Sequence, residues 1–422
     1  MTKQEAVIKY IEDNYLQFRR LRHDVISDKL QIRLSGEEAM RLLGERLEYW
    51  REMTKQDINS IVCHCAQEYD ANITSREVMT ALQSDLIPDV HPLREYIHSL
   101  KPYTTDQPDW IDMVASQVKV KPSGEEAKDN KARGEELWRA CFKKWFVAMV
   151  ASWMKDEVVN HQVLVLIGKQ GIFKTTWLEH LIPPHLRAYA CKLANSNELN
   201  KDERLRIAEF GLISLDEIDS MNNRELNQLK SIITATDVNE RAAYAYTKER
   251  RVRLASFCAS GNRRDFLTDI TGNRRWLPFE VESIQNPFHT QLPYEQMYAE
   301  AWALAQDPLF SYWFDLNEIE VLEQHNQHFR DESNEEQLLD VYFAVPTTDA
   351  TNAKFLTTAE ISERLIYYGN IKKPMTLSRL GVLLSQKGFL SVRRGNPSRR
   401  GWIIYERESQ EVNAERAILS KH

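Results

Sequence analysis

A chain of 422 residues with 42% hydrophobic and 28% charged side chains can bury more than one core, which excludes a disordered or fibrous polypeptide. Its net charge of −7 excludes a uniform basic coat for nucleic acid but leaves room for local basic patches. Cysteines without CxxC spacing, no N-terminal signal core and no apolar run of the roughly 18 residues that a membrane span needs predict a cytoplasmic protein with no membrane partner.

In chain order, a helix is predicted over residues 5–15. Two short strands follow, at Val25-Ile26 and residues 30–34, around an Asp28-Lys29 turn. Arg19, Arg20, Arg22 and His23 form a basic cluster that reads as a solvated face. Residues 56–83 read as helices: Ile58, Ile61, Val62 and Cys65 recur at helical spacing, and Thr74 can cap a helix carrying Val78 and Leu82. After a proline-rich stretch, a helix is predicted over 106–118 with Trp110, Met113, Val114 and Val118 inward. The polar segment 121–134, KPSGEEAKDNKARG, reads as a linker or exposed loop. Residues 137–154 form a strong helix, whose Trp138, Phe142, Trp145, Met149 and Trp153 lie three or four apart and make a core-packing face.

The stretch that organises the chain is VLVLIGKQGIFKTT, residues 163–176. An apolar strand stops at Gly168, and a loop with Gly171 leads to Lys174, Thr175, Thr176 and an apolar helix. A glycine turn between strand and helix presents backbone N–H groups to an anion. A lysine there reaches terminal phosphates, and the next hydroxyl can hold Mg²⁺. The usual spacing is G-x-x-x-x-G-K-[ST], and Phe173 stands where its last glycine would be. Residues 195–207 read as helical. A second buried strand, 210–215, ends in Asp216-Glu217, a carboxylate pair suited to orienting Mg²⁺ and polarising a water.

A helix over 224–236 precedes RAAYAYTKERRVRL, residues 241–254, whose alternation predicts a β-hairpin turning near 247–250. Lys248, Arg250, Arg251 and Arg253, with tyrosines nearby, make it a candidate DNA contact. A third apolar strand, 254–260, ends at Gly261-Asn262, where the asparagine can bond a terminal phosphate or its water. In TGNRRW, the adjacent Arg274 and Arg275 can neutralise a transferring phosphoryl group, in a ring on the neighbour's nucleotide.

The order GKQGIFKTT, LISLDEID, basic hairpin, SGN, TGNRRW resembles the virulence-associated E family of ATPases, placed with superfamily-3 helicases in the AAA+ class. The resemblance covers about residues 137–281. It implies ATP and Mg²⁺ bound at Lys174 and Thr175, hydrolysis by Asp216 and Glu217, and a γ-phosphate sensor at Asn262. It further implies a DNA-channel hairpin at Lys248 with its arginines, and a trans arginine at Arg274 or Arg275. The expected architecture is an α/β AAA+ P-loop core flanked by helical and winged-helix parts. Its expected divisions are an N-terminal α+β accessory domain (1–100), a helical collar (101–160), the ATPase core (161–285), a helical lid or linker (286–340), a winged helix (341–410) and a tail (411–422).

The winged helix is read from the residues themselves. Helices over 356–367 and 376–387 precede a hairpin of 389–392 and 401–405. Arg379 lies on the second helix, and Arg393, Arg394, Arg399 and Arg400 lie on the wing. In that geometry the helix enters a major groove and the wing rests on phosphates. The leading expectation is an ATP-driven, ring-forming DNA helicase or translocase of a mobile element or prophage, a homo-oligomer expected as a hexamer, acting on single-stranded or forked DNA. The alternative is a nucleotide-controlled DNA-binding oligomer, an origin-binding or regulatory switch without unwinding. A third reading, an AAA+ remodeller of partner proteins, leaves the hairpin and wing charges without a use.

Overall fold

The computed structural model describes residues 2–34, 49–122, 130–193, 206–240, 249–267, 273–330, 333–346, 352–394 and 398–419. It is a mixed α/β fold with several sheets, divided into two compact units: Met1–Arg264 with Arg274–Leu322, and Asp265–Asn273 with Glu323–His422. Among the described residues no helix is long and apolar enough to cross a membrane.

The first unit opens with helix α1 (Lys3–Ile11), closed at its N-terminus by a Thr2–Glu5 capping box and continued as a π-turn over Glu12–Leu16. Strands β1 (Leu21–Asp24), β2 (Lys29–Leu34), β3 (Tyr49–Glu52) and β4 (Asp89–Val90) form a small sheet in the order β3-β2-β1-β4. Helices α2 (Lys55–Tyr69) and α3 (Ser75–Leu82) join α1 around Val7, Ile61, Cys65 and Val78. Thr74 caps α3 as expected. The first strand, however, lies upstream of Val25-Ile26, which sit at the turn. Tertiary contacts override its charged composition: Arg22 is buried, with Nη1 2.5 Å from Glu95 and its guanidinium 4.0 Å above the Trp50 ring. Arg22 is therefore no part of a solvated face.

Helices α4 (Pro92–Ser99) and α5 (Trp110–Ala115) and strand β5 (Val118–Val120) lead into α6 (Asn130–Met154). The predicted helix over 106–118 is thus a shorter helix and a strand, and Met113 faces outward. Helix α6 takes in the C-terminal end of the expected 121–134 loop, whose residues 123–129 lie outside the described set. All five expected inward residues of α6 are buried. Its tryptophans also use their N–H groups: Trp138 donates to the Ala115 carbonyl (2.9 Å), Trp145 to Phe257 (3.1 Å) and Trp153 to Gly211 (3.1 Å). Buried indoles with satisfied N–H groups give this helix apolar area without an orphaned donor.

What α6 packs on is a six-stranded sheet. Strand β6 (Val163–Ile167), wholly buried, is followed by α7 (Lys174–His180), β7 (Ala190–Leu193) and β8 (Leu212–Leu215). Helix α8 (Asn223–Thr234) and the strands β9 (Asp237–Glu240) and β10 (Glu249–Val252), a separate antiparallel pair, come next, and β11 (Ser256–Gly261) and β12 (Trp276–Ile284) complete the sheet. The order is β5-β12-β6-β11-β8-β7; β12, β6, β11, β8 and β7 run parallel and β5 antiparallel. Buried on both faces, the central strands read as continuous apolar runs rather than alternating ones. The expected helix over 195–207 lies almost wholly outside the described residues. Helices α9 (Tyr294–Gln306) and α10 (Leu316–Gln327) follow, and α9 packs on the α6 side.

In the second unit, α11 (Asn334–Tyr342), β13 (Phe343–Ala344), β14 (Lys354–Leu356), α12 (Thr358–Gly369), α13 (Leu377–Gln386), β15 (Leu390–Arg394), β16 (Arg399–Glu406) and α14 (Ser409–Leu419) surround one small core. Leu339, Ile361, Leu365, Leu380, Leu384, Trp402 and Ile404 fill it. The expected helix, helix, hairpin succession is present, with a Thr357–Glu360 capping box opening α12.

Arg253 departs from its expected role. It is 1% exposed, and its guanidinium donates to the carbonyls of Ala255, Ile232, Ile233, Ala235 and Asn160. The side chain thus ties the end of α8 to the approach of β6 and cannot reach DNA. Replacing it with Met leaves several buried acceptors without donors, a loss of about 3 kcal/mol. Urea unfolding followed by tryptophan fluorescence should show that loss, with no recovery in Arg253→Lys, whose single ammonium cannot span the same carbonyls.

Candidate functional site

Strand order fixes where this sheet can bind a ligand. From β6 the chain crosses to the far edge at β7 and returns through β8 to β11; from β11 it crosses β6 to reach β12. Connections leaving β6 and β11 therefore run in opposite directions, which opens a crevice at their carboxyl ends. The Gly168 N–H donates to the Gly261 carbonyl (3.1 Å) and extends that strand pairing to the rim.

The loop after β6 is shaped by close approach and by left-handed backbone. A Cβ on Gly168 would stand 2.8 Å from the Val281 carbonyl oxygen, and Gly171 has φ +85°. Phe173, at the place of the missing glycine, keeps a glycine-like conformation at φ 67°, ψ 17°. Glu217 is also left-handed, at φ 51°. For the non-glycine residues Phe173 and Glu217 this costs about 1–3 kcal/mol each, and strain of this kind gathers at functional sites.

Lys174 lies at the floor, 7% exposed. Its Nζ donates to the carbonyls of Gly168 (2.8 Å) and Lys169 (2.7 Å) and to Asn262 Oδ1 (3.3 Å). Burial holds the ammonium below the usual lysine range, against the opposing pull of Asp219 and Asp216. Beside it, Thr175 Oγ1 stands 3.3 Å from Asp216 Oδ1 and 2.9 Å from Ser260 Oγ, which in turn donates to Asp216 Oδ1 (2.8 Å). Lys192 Nζ lies 2.9 Å from Asp216 Oδ2. Burial raises the Asp216 carboxyl, but Lys192, Ser260 and Thr175 together hold it below the ordinary value.

A cavity of about 310 Å³ is lined by Gly171, Phe173, Lys174, Thr175, Thr176, Asp216, Glu217, Ser260 and Asn262, among others. The expected phosphate, metal and carboxylate residues thus converge, with Gly168 holding the loop's base. The arrangement can seat an anion against Lys174 and a small cation between hydroxyl and carboxylate oxygens.

Arg274 and Arg275 stay apart. They lie in a 3₁₀ turn just before β12, whose Trp276 is level with Val163, the first residue of β6. They therefore border the amino ends of the strands, about 13 Å along the sheet from Ile167. Gln162, with its amide oriented to satisfy both carbonyls, donates to Arg274 O (2.8 Å) and Arg275 O (3.2 Å).

Among the hairpin residues, Lys248 and the side chain of Arg250 lie outside the described set. The backbones of Glu249 and Arg250 pair with Glu240 and Asn239 in the ladder, so these two residues belong to a strand and not to the expected turn over 247–250, whose other residues lie outside the described set. Arg251 faces Asp28 (3.4 Å) and Glu209 (3.6 Å). In the second unit Arg379, Arg393, Arg394, Arg399 and Arg400 are all exposed.

Three site residues escaped the sequence reading. Ser260 could have been found as the residue before Gly261-Asn262. Asp219 was visible in LISLDEID; its Oδ2 accepts from the Arg263 N–H (3.1 Å), while Oδ1 is buried with no hydrogen bond among the described residues. Lys192 had no signal, because the short strand carrying it has none.

Asp216 is depressed, so its share of stability is present above its unfolded value and lost as pH falls through the lower folded one. Lys192→Met removes a main cause of the depression. Its acid-unfolding midpoint should move to higher pH than that of the native chain, as followed by circular dichroism.

Comparison with known proteins bears on this same region. No curated protein matches the chain. Similar solved structures are the apo structure of the NrS-1 C-terminal region, at 11% identity and TM-score 0.46 over 95% of this chain and 99% of that one. Its A form is similar at 11% identity and TM-score 0.44 over the same shares. A further A-form structure gives 12% and 0.44 over 92% of this chain and 98% of that one. Residues 127–331, which hold the whole cavity lining, match the model of the Virulence-associated protein E-like domain.

Proposed function

We propose that the chain is an ATP-driven, ring-forming DNA helicase or translocase serving the replication of a mobile element or prophage, built on an AAA+ P-loop core with a winged helix. The observation that carries this reading is the meeting of Lys174, Thr175, Asp216 and Asn262 at the switch point of a parallel sheet. Similarity to the virulence-associated protein E-like domain supports the mobile-element setting.

In this reading the terminal phosphates of ATP lie against Lys174, and the loop amides take the remaining oxygens. Thr175 and Asp216 offer the oxygen pair that suits Mg²⁺, which would neutralise phosphate charge. Glu217, exposed beside Asp216, orients the attacking water and takes its proton. Asn262 couples the phosphate to β11 through its place beside Lys174. Arg274 or Arg275, remote from its own cavity, serves that of an adjoining copy.

DNA contact by the second unit is supported by its wing. Arg393 stands directly across from Arg400, and Arg394 from Arg399. Like charges opposite one another destabilise a hairpin unless an anion lies over them. Arg379 on α13 supplies a further cation. A second reading, a nucleotide-controlled DNA-binding oligomer without unwinding, is favoured by Phe173 in the glycine position and by Lys192 already holding Asp216.

Steady-state phosphate release with and without single-stranded DNA separates the two: stimulated turnover is expected for the motor and none for the switch. Turnover should fall about 100-fold or more in Lys174→Ala and in Glu217→Gln. It should return in part when Lys174→Ala is mixed with Arg274→Ala/Arg275→Ala, since each supplies what the other lacks. Reversing Arg393, Arg394, Arg399 and Arg400 to Glu should weaken forked-DNA binding and flatten its dependence on salt concentration.

A further inference from the structure

One exposed aromatic ring lies against Phe173, which lines the cavity. After β12 the chain makes a tight turn in which the Phe288 N–H donates to Asn286 Oδ1 (3.0 Å) and the His289 N–H to the Asn286 carbonyl (3.1 Å). Phe288 is at its tip, 69% exposed. Its ring meets Phe173 edge to face at a centroid distance of 6.4 Å and His180 at 5.5 Å.

The turn cannot drift far from the phosphate loop. Tyr294 Oη donates to the His180 carbonyl (2.7 Å) and Tyr298 Oη to that of Leu181 (3.0 Å), so α9 is bonded to the end of α7. His180 Nδ1 in turn donates to the Thr176 carbonyl (2.7 Å), which orients its ring. Three rings are therefore gathered beside the phosphate loop, and one of them, Phe173, lines the cavity itself.

We propose that Phe288, flanked by Phe173 and His180, is the platform on which the base of a bound nucleoside triphosphate stacks. This rests on the nucleotide reading given above and adds to it the residue that holds the base. An aromatic face grips any planar base through its π surface and discriminates little between purines. It also gives the left-handed Phe173 a use that glycine could not supply, because its ring completes the edge of the platform.

The test compares three probes on the full chain by calorimetry: ATP, GTP and inorganic tripolyphosphate, each with magnesium. Phe288→Ala should weaken ATP and GTP by about tenfold and leave tripolyphosphate unchanged, whereas Phe288→Trp should keep nucleotide affinity. The exposed ring adds little to the core, and an unchanged unfolding midpoint in Phe288→Ala checks that folding is retained. Equal ATP affinity in Phe288→Ala and the native chain overturns the platform while leaving the phosphate site standing. A native chain that binds none of the three probes overturns both.

Discussion

A buried ammonium sets the terms for the first unit. Lys174 is surrounded by two loop carbonyls and an amide oxygen, all neutral acceptors, and among the described residues its ammonium pairs with no carboxylate. Such a charge is costly to hold away from water unless an anion completes it. The loop must be rigid enough to keep the carbonyls in place, and this explains why Gly168 approaches Val281 so closely and why Phe173 tolerates a left-handed backbone.

That rigidity comes from beneath the sheet. Trp138, Trp145 and Trp153 on α6 each fill the core and each donate to a backbone carbonyl in a different part of the unit. Ser152 and Asn160 add bonds to Leu254 and Ser256. The strands on which the site stands are thus fastened from one face by a single long helix. Sites built on such elements hold their geometry better than sites on loops alone.

Much of this was legible from residue order. The central apolar strands, the tryptophan face of α6 and the convergence of Lys174, Asp216 and Asn262 on one cavity follow from runs and spacings that survive folding unchanged. What failed was set by tertiary contact. Arg22 and Arg253 read as surface cations because charge is normally solvated, yet Trp50 and Glu95 bury the first, and five carbonyls bury the second. Lys192 could not be read because β7 is four residues long and gains its meaning only from pairing with β8. Alternation in the 241–254 segment predicts an antiparallel pair but puts Glu249 and Arg250 in the turn, whereas both pair in the ladder, since period-two patterns fix faces and not register.

The separation between the arginine pair and the cavity reaches past one molecule. Two different rims of the sheet would have to meet for one copy's cation to serve another's ligand. A contact of that kind is heterologous: it joins unlike patches and leaves each partner with one patch still unsatisfied. Under the proposed trans arginine, such a contact would not end at a two-fold dimer. In that case, whether growth would close into a ring or run on as a filament would depend on the angle by which successive copies turn.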